Sequence, residues 1–104
     1  VRQAPVLITV VGNPGKTGVD SLQKEGSVAY QHACAAAIQN MLLAAHALGV
    51  GSIWFTLFDR ANLREILGIP FERMPVGLVC LGYPEASPRP VPRKSASEKK
   101  RVIA

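Results

Sequence analysis

Three short apolar runs alternate with two helical periodicities along this chain, punctuated by glycine and proline. Val6-Leu7-Ile8-Thr9-Val10-Val11 is a β-branched run between Pro5 and Gly12-Asn13-Pro14-Gly15, and it reads as a strand covered on both faces. Ser52–Phe55 and Val76–Leu81 read as two more strands, the second closed by Gly82-Tyr83-Pro84. Buried-type strands separated by helical patterns predict a parallel or mixed sheet flanked by helices.

Ser27 is placed to cap a helix running to Leu48, about 22 residues and roughly 33 Å long, with Gly49 positioned to end it. Its apolar positions cover nearly the whole circumference, while His32, Gln39 and His46 recur every seven residues as one narrow polar stripe. Too few other elements exist to surround such a helix, so its burial requires a partner subunit. A second, short helix is predicted over Arg60–Leu67, N-capped by Asp59 and stopped by Gly68 and Pro70. Lys16 to Gly26 is polar and reads as a loop. The residues after Pro84 are rich in proline and basic side chains, which predicts an extended arm over 85–104 beside a partial α/β domain over 1–84.

Charge sharpens this division. The 104-residue chain carries a net +5, yet residues 1–88 are balanced, and the excess lies in Arg89, Arg93, Lys94, Lys99, Lys100 and Arg101 against Glu98. The body therefore gives no reason to invoke nucleic acid, and the arm lacks the interleaved aromatics of a single-strand binder. No apolar stretch approaches the roughly 18 to 20 residues of a membrane span, and no signal peptide opens the chain, so a soluble, cytoplasmic protein without a membrane partner is expected. The opening at Val1, with a strand almost at once, reads as part of a longer domain. Cys34 and Cys80 lack any metal-ligand or CxxC spacing and read as buried free thiols.

Candidate chemistry is sparse. Gly12-Asn13-Pro14-Gly15-Lys16-Thr17 superficially suggests a phosphate loop, but the position that must be the first glycine is Val10, so a plain turn is expected. His32 and His46 stand about 21 Å apart on one helix and cannot share a metal ion. Glu65 and Glu72 read as surface charges, and no nucleophile, acid–base pair or metal site is assigned. The run Gly49 to Asp59 differs in kind. Its glycines permit a tight turn, and Trp54, Phe55 and Phe58 offer flat apolar surface where a strand ends, with backbone N–H groups near Thr56 and Leu57 free to donate. These residues alone are equally consistent with a core role.

Ala36 to Ser52, then Leu67-Gly68-Ile69-Pro70, then Pro75 to Pro84 and the Pro/Arg arm, resemble in order and spacing the C-terminal half of FMN-dependent nitroreductases; Ala4 to Ile8 resembles the strand that follows that family's N-terminal helices. The resemblance implies an α+β fold, a mixed sheet wrapped by helices, built as an intertwined homodimer with FMN at the subunit interface and the arm crossing onto the partner. It implies that Phe55, Thr56 and Leu57 lie against the flavin ring and that Arg93 and Lys94 neutralise its phosphate. Many relatives carry glycine where Thr56-Leu57 stand, which implies an altered flavin contact.

The implied activity is NAD(P)H-dependent, flavin-mediated reduction of a small electron acceptor such as a nitroaromatic or quinone, with no side chain required as acid or base. The family's N-terminal half supplies further flavin contacts that have no counterpart in this sequence, so the site is expected to be incomplete without a second chain or a longer product. The alternative is a non-catalytic oligomerisation module that keeps the family's core without its flavin.

Overall fold

The computed structural model describes residues 3–15 and 28–103. Three strands, β1 (Val6–Gly12), β2 (Gly51–Phe55) and β3 (Met74–Gly82), form one sheet in the order β1-β3-β2. Both pairings are antiparallel, with Ile8 opposite Val79 and Trp54 opposite the same Val79 from the other side. The parallel pairing that a mixed sheet requires is not found among the described residues, and β1 is not covered on both faces. Val6, Leu7 and Val11 are 48%, 45% and 38% exposed. A continuous apolar run reports burial in the finished assembly; in this chain α1 covers the face of Val79, and Leu78 and Cys80 of β3 are also buried on the other, while β1 stays partly exposed.

That cover is α1 (Ala29–Ala47). Tyr30, Ile38 and Ala45 are its buried residues, a line of near-heptad spacing laid on the sheet. Ile38 and Val79 are fully buried, and small residues allow the close approach: a Cβ on Gly77 would lie 2.9 Å from Ile38 Cδ1, and one on Gly12 would lie 2.5 Å from the Tyr30 ring. Val28 precedes the helix without a side-chain cap; Ser27, the expected cap, lies outside the described residues, as does the expected loop from Lys16 to Gly26. The other end follows expectation. Gly49 adopts φ 71°, and Val50 N–H reaches Ala45 O at 2.8 Å while Gly49 N–H reaches His46 O at 3.0 Å, a Schellman closure.

The second helix, α2 (Arg60–Leu67), is capped by Asp59, whose carboxylate accepts from Asn62 N–H at 3.1 Å, and it ends on Gly68 at φ 64°. Arg64 ties it to the start of β3, donating to Arg73 O at 2.6 Å and lying over the Phe71 ring. Beyond β3 every described residue from Tyr83 onward is exposed. The arm contains one helical turn, α3 (Ala96–Lys99), held by reciprocal Ser95 and Glu98 capping. The Ser-x-x-Glu spacing signals such a turn, and the reading of a wholly extended arm overlooks it.

The remaining surface is large. A compact monomer of 11.1 kDa exposes about 5,700 Å², whereas this chain exposes 8681 Å². Its radius of gyration is 17.3 Å, against about 13 Å for a compact domain of this length. The excess falls partly on α1, where Leu43 and Leu48 are 59% and 78% exposed on the side away from the sheet. No helix among the described residues is long and apolar enough to cross a membrane.

Candidate functional site

The pleat sorts the aromatic run after Gly51 onto two faces. Trp54 lies opposite Val79 on the α1 face, and a Cβ on Gly77 would meet its Nε1 at 2.5 Å, so the indole packs across Gly77 as part of the core. Its Nε1 is buried without a hydrogen-bond partner. Phe55, opposite Leu78, sits half-buried on the face that α1 does not cover. Phe58 is also half-buried, with the Arg60 guanidinium 5.7 Å from its ring centre. Thus two of the three aromatics are committed to structure, and Phe55 alone stands at the open face beside the strand end.

Thr56 and Leu57 leave β2 fully exposed, Leu57 at 96%. Neither residue forms a hydrogen bond among the described residues. Among the described residues their backbone N–H groups are therefore unpaired donors on a four-residue connection, held at one end by the sheet and at the other by the Asp59 cap. Arg93 and Lys94 lie exposed in the arm, without an ion pair or hydrogen bond among the described residues. No hydrogen bond or ion pair joins them to the Phe55–Leu57 segment.

A groove of about 660 Å³ is bordered by His46, Gly51, Ile53, Cys80 and Tyr83. It lies at the end of the sheet where β2 begins, about 13 Å along the strand from Phe55. None of the five expected flavin contacts lines it. A smaller cleft of about 240 Å³ lies at the opposite end, between Tyr30, Gln31, Arg60 and the first residues of β3. Sequence reasoning passed over it, because its polar groups come from three distant segments and share no motif.

After β1, Asn13 Oδ1 accepts from Gly15 N–H at 3.2 Å, the Asx turn of an ordinary loop; Lys16 and Thr17 lie outside the described residues. Among the described residues no group of three or more His, Cys, Asp and Glu is placed to hold a metal ion. His32, Gln39 and His46 are all exposed, and so are Glu65 and Glu72. Both cysteines are free, and burial pushes the Cys34 thiol up from its ordinary range.

Comparison with known proteins places this architecture. A protein of Methanothermobacter thermautotrophicus, provisionally named as an NADH dehydrogenase/NAD(P)H nitroreductase, is 38% identical over 92 residues, which are 85% of this chain and 44% of the relative. One of Archaeoglobus fulgidus with the same name is 46% identical over 56 residues, 50% of this chain and 32% of the relative. The chain thus spans less than half the length of these curated relatives. Among solved structures, a nitroreductase family protein from Clostridium difficile superposes with a TM-score of 0.82 at 24% identity, covering 95% of this chain and 59% of that one. Another from Clostridium novyi reaches 0.70 at 30% identity over 79% of this chain and 44% of that one. The family profile covers residues 1–83, from β1 to the end of β3, and on that match this chain belongs to the Nitroreductase family.

Proposed function

We propose that this chain is the C-terminal part of an FMN-dependent NAD(P)H oxidoreductase and supplies one wall of its flavin site. The observation that carries the reading is the pair of backbone N–H groups at Thr56 and Leu57, unbonded among the described residues, where β2 ends. A flavin ring edge presents nitrogen and oxygen acceptors, and fixed amide donors match it without reorganisation. The half-buried Phe55 and the exposed Leu57 add apolar surface for the ring.

Arg93 and Lys94 fit the cofactor's phosphate because no acid neutralises them among the described residues and both are exposed. Together these groups fit FMN as part of a site. When bound, FMN supplies the electron transfer between the nicotinamide donor and a small acceptor such as a nitroaromatic or quinone. This chain's residues bind and orient: Thr56 and Leu57 fix the ring edge, Phe55 shields one side from water, and the arm cations anchor the tail. No acid–base side chain is assigned. The bulk of Leu57, where relatives with glycine leave space, narrows the approach of acceptors.

The same reading makes the arm a segment that crosses to a second copy in a cytoplasmic homodimer, or to a chain carrying the rest of the fold. The exposed area favours it. The excess of about 3,000 Å² beyond the expectation for a compact monomer, matched on a second copy, totals about 6,000 Å², the scale of the largest obligate interfaces. That area equally favours a second reading, an oligomerisation module without flavin, and one titration separates them. Adding the purified chain to FMN should quench flavin fluorescence, and Arg93→Ala with Lys94→Ala should weaken binding at least about tenfold, each charge-assisted contact contributing about 1.5 kcal/mol or more. Unquenched fluorescence supports the module; quenching that the double variant leaves unchanged refutes the phosphate role.

A further inference from the structure

We propose that the cleft walled by Tyr30, Gln31, Arg60 and the start of β3 is a binding subsite for an oxyanion, the carboxylate or phosphate group of a larger ligand. Its donors are already oriented. Arg60 Nε donates to Pro75 O at 3.3 Å, and Phe58 lies 5.7 Å beneath the guanidinium carbon, so the planar group is held from its edge and from one face. Among the described residues the two terminal nitrogens have no acceptor and no acidic side chain pairs with them.

Tyr30 contributes a second donor. It is 8% exposed and anchored against Gly12, and its hydroxyl oxygen accepts from Gln31 Nε2 at 3.0 Å, which leaves the hydroxyl hydrogen to donate. The nearest carboxylate in sequence, Asp59, is occupied with Asn62 N–H and does not line the cleft. Arginine and a buried tyrosine hydroxyl, with no competing acid among the described residues that line the cleft, form a donor set that recognises an anion's oxygens.

Size restricts the ligand to a group rather than a molecule. At about 240 Å³ the cleft is too small for a flavin or dinucleotide and ample for one carboxylate or phosphate. Its position at the end of the sheet where Phe55 and Leu57 emerge puts it within reach of a ligand lying along that edge. Two sources share this chemistry: the carboxylate of an acidic aromatic compound, and the phosphate of a nucleotide. The proposal does not depend on flavin binding, because every donor named belongs to this chain.

The test is an NMR titration of the full chain, labelled with nitrogen-15, with inorganic phosphate and separately with benzoate, each against sodium chloride at equal ionic strength. Saturable shifts of Arg60 Nε–H and of the Tyr30 and Gln31 amides are expected with one of the two anions and not with chloride; the tighter binder identifies the source. Tyr30→Phe, which keeps the ring against Gly12, should weaken binding about 3- to 10-fold, and Arg60→Gln at least about tenfold. Unshifted amides over residues 79–81 of β3 and 6–9 of β1, away from the cleft, verify that each variant is folded. Non-saturating shifts, shifts equal to those in chloride, or affinities unmoved in both variants overturn the proposal.

Discussion

Gly77→Ala is the sharpest probe of how α1 meets the sheet. Gly77 lies in β3 opposite Val10, and its φ is not positive, so an alanine there is acceptable to the backbone and the cost comes from contact alone. The added Cβ would stand 2.5 Å from Trp54 Nε1 and 2.9 Å from Ile38 Cδ1, both closer than real Cβ atoms come to a neighbour. Ile38 is fully buried, and the indole is a rigid ring, so neither yields without moving its neighbours. Overpacking of this kind costs about 1–3 kcal/mol, roughly a 5–15 °C fall in Tm for a chain of this size. Urea unfolding followed by the fluorescence of Trp54, the only tryptophan, measures it directly. Ile38→Val removes the Cδ1 methyl and alone should cost about 0.5–1.5 kcal/mol; in the Gly77→Ala background it should cost measurably less, because it relieves one of the two clashes. A Gly77→Ala loss under about 0.5 kcal/mol with strictly additive variants would refute the packing described here.

Other expectations follow from single groups. Asp59→Ala should cost about 1 kcal/mol by removing the acceptor for Asn62 N–H, whereas Asp59→Ser should recover most of it; equal losses would show that the cap contributes nothing. Gly68→Ala should cost about 1 kcal/mol from its left-handed backbone, although nothing lies within 4 Å of the added Cβ, and Gly68→Asn should cost less. Because burial raises the Cys34 pKa, less of it is thiolate at a given pH. Peptide-mapped alkylation at pH 8 should be slower than for an exposed cysteine peptide and should approach it only at higher pH; matched rates at pH 8 would contradict its burial. The same shift makes the neutral thiol's contribution to stability complete below the unfolded-state pKa and lost as pH rises through the folded-state one.

Local chemistry was legible wherever one residue decides an outcome. Asp59 and Gly68 bracket a helix that occupies Arg60–Leu67 as the pattern predicts, and Gly49 closes α1 in the left-handed conformation that glycine permits. The β-branched and apolar runs located all three strands. Their ends extended slightly further, because ladder pairing continues through Gly12, Gly51 and Gly82, which carry no apolar signal.

What the sequence alone determined is that this chain exposes apolar surface meant to be covered: α1 is apolar around its circumference whatever it packs on. Only the tertiary structure decided which side is covered from within, because register depends on partners that lie far apart in the chain. Pairing with β3 turned Trp54 toward Ile38 and Gly77 and left Phe55 on the open face, and a shift of one residue would exchange them. It likewise brought Tyr30 and Arg60 to one cleft from thirty residues apart. Periodicity records how much of each element is buried; only the pairing of distant segments decides what it is buried against.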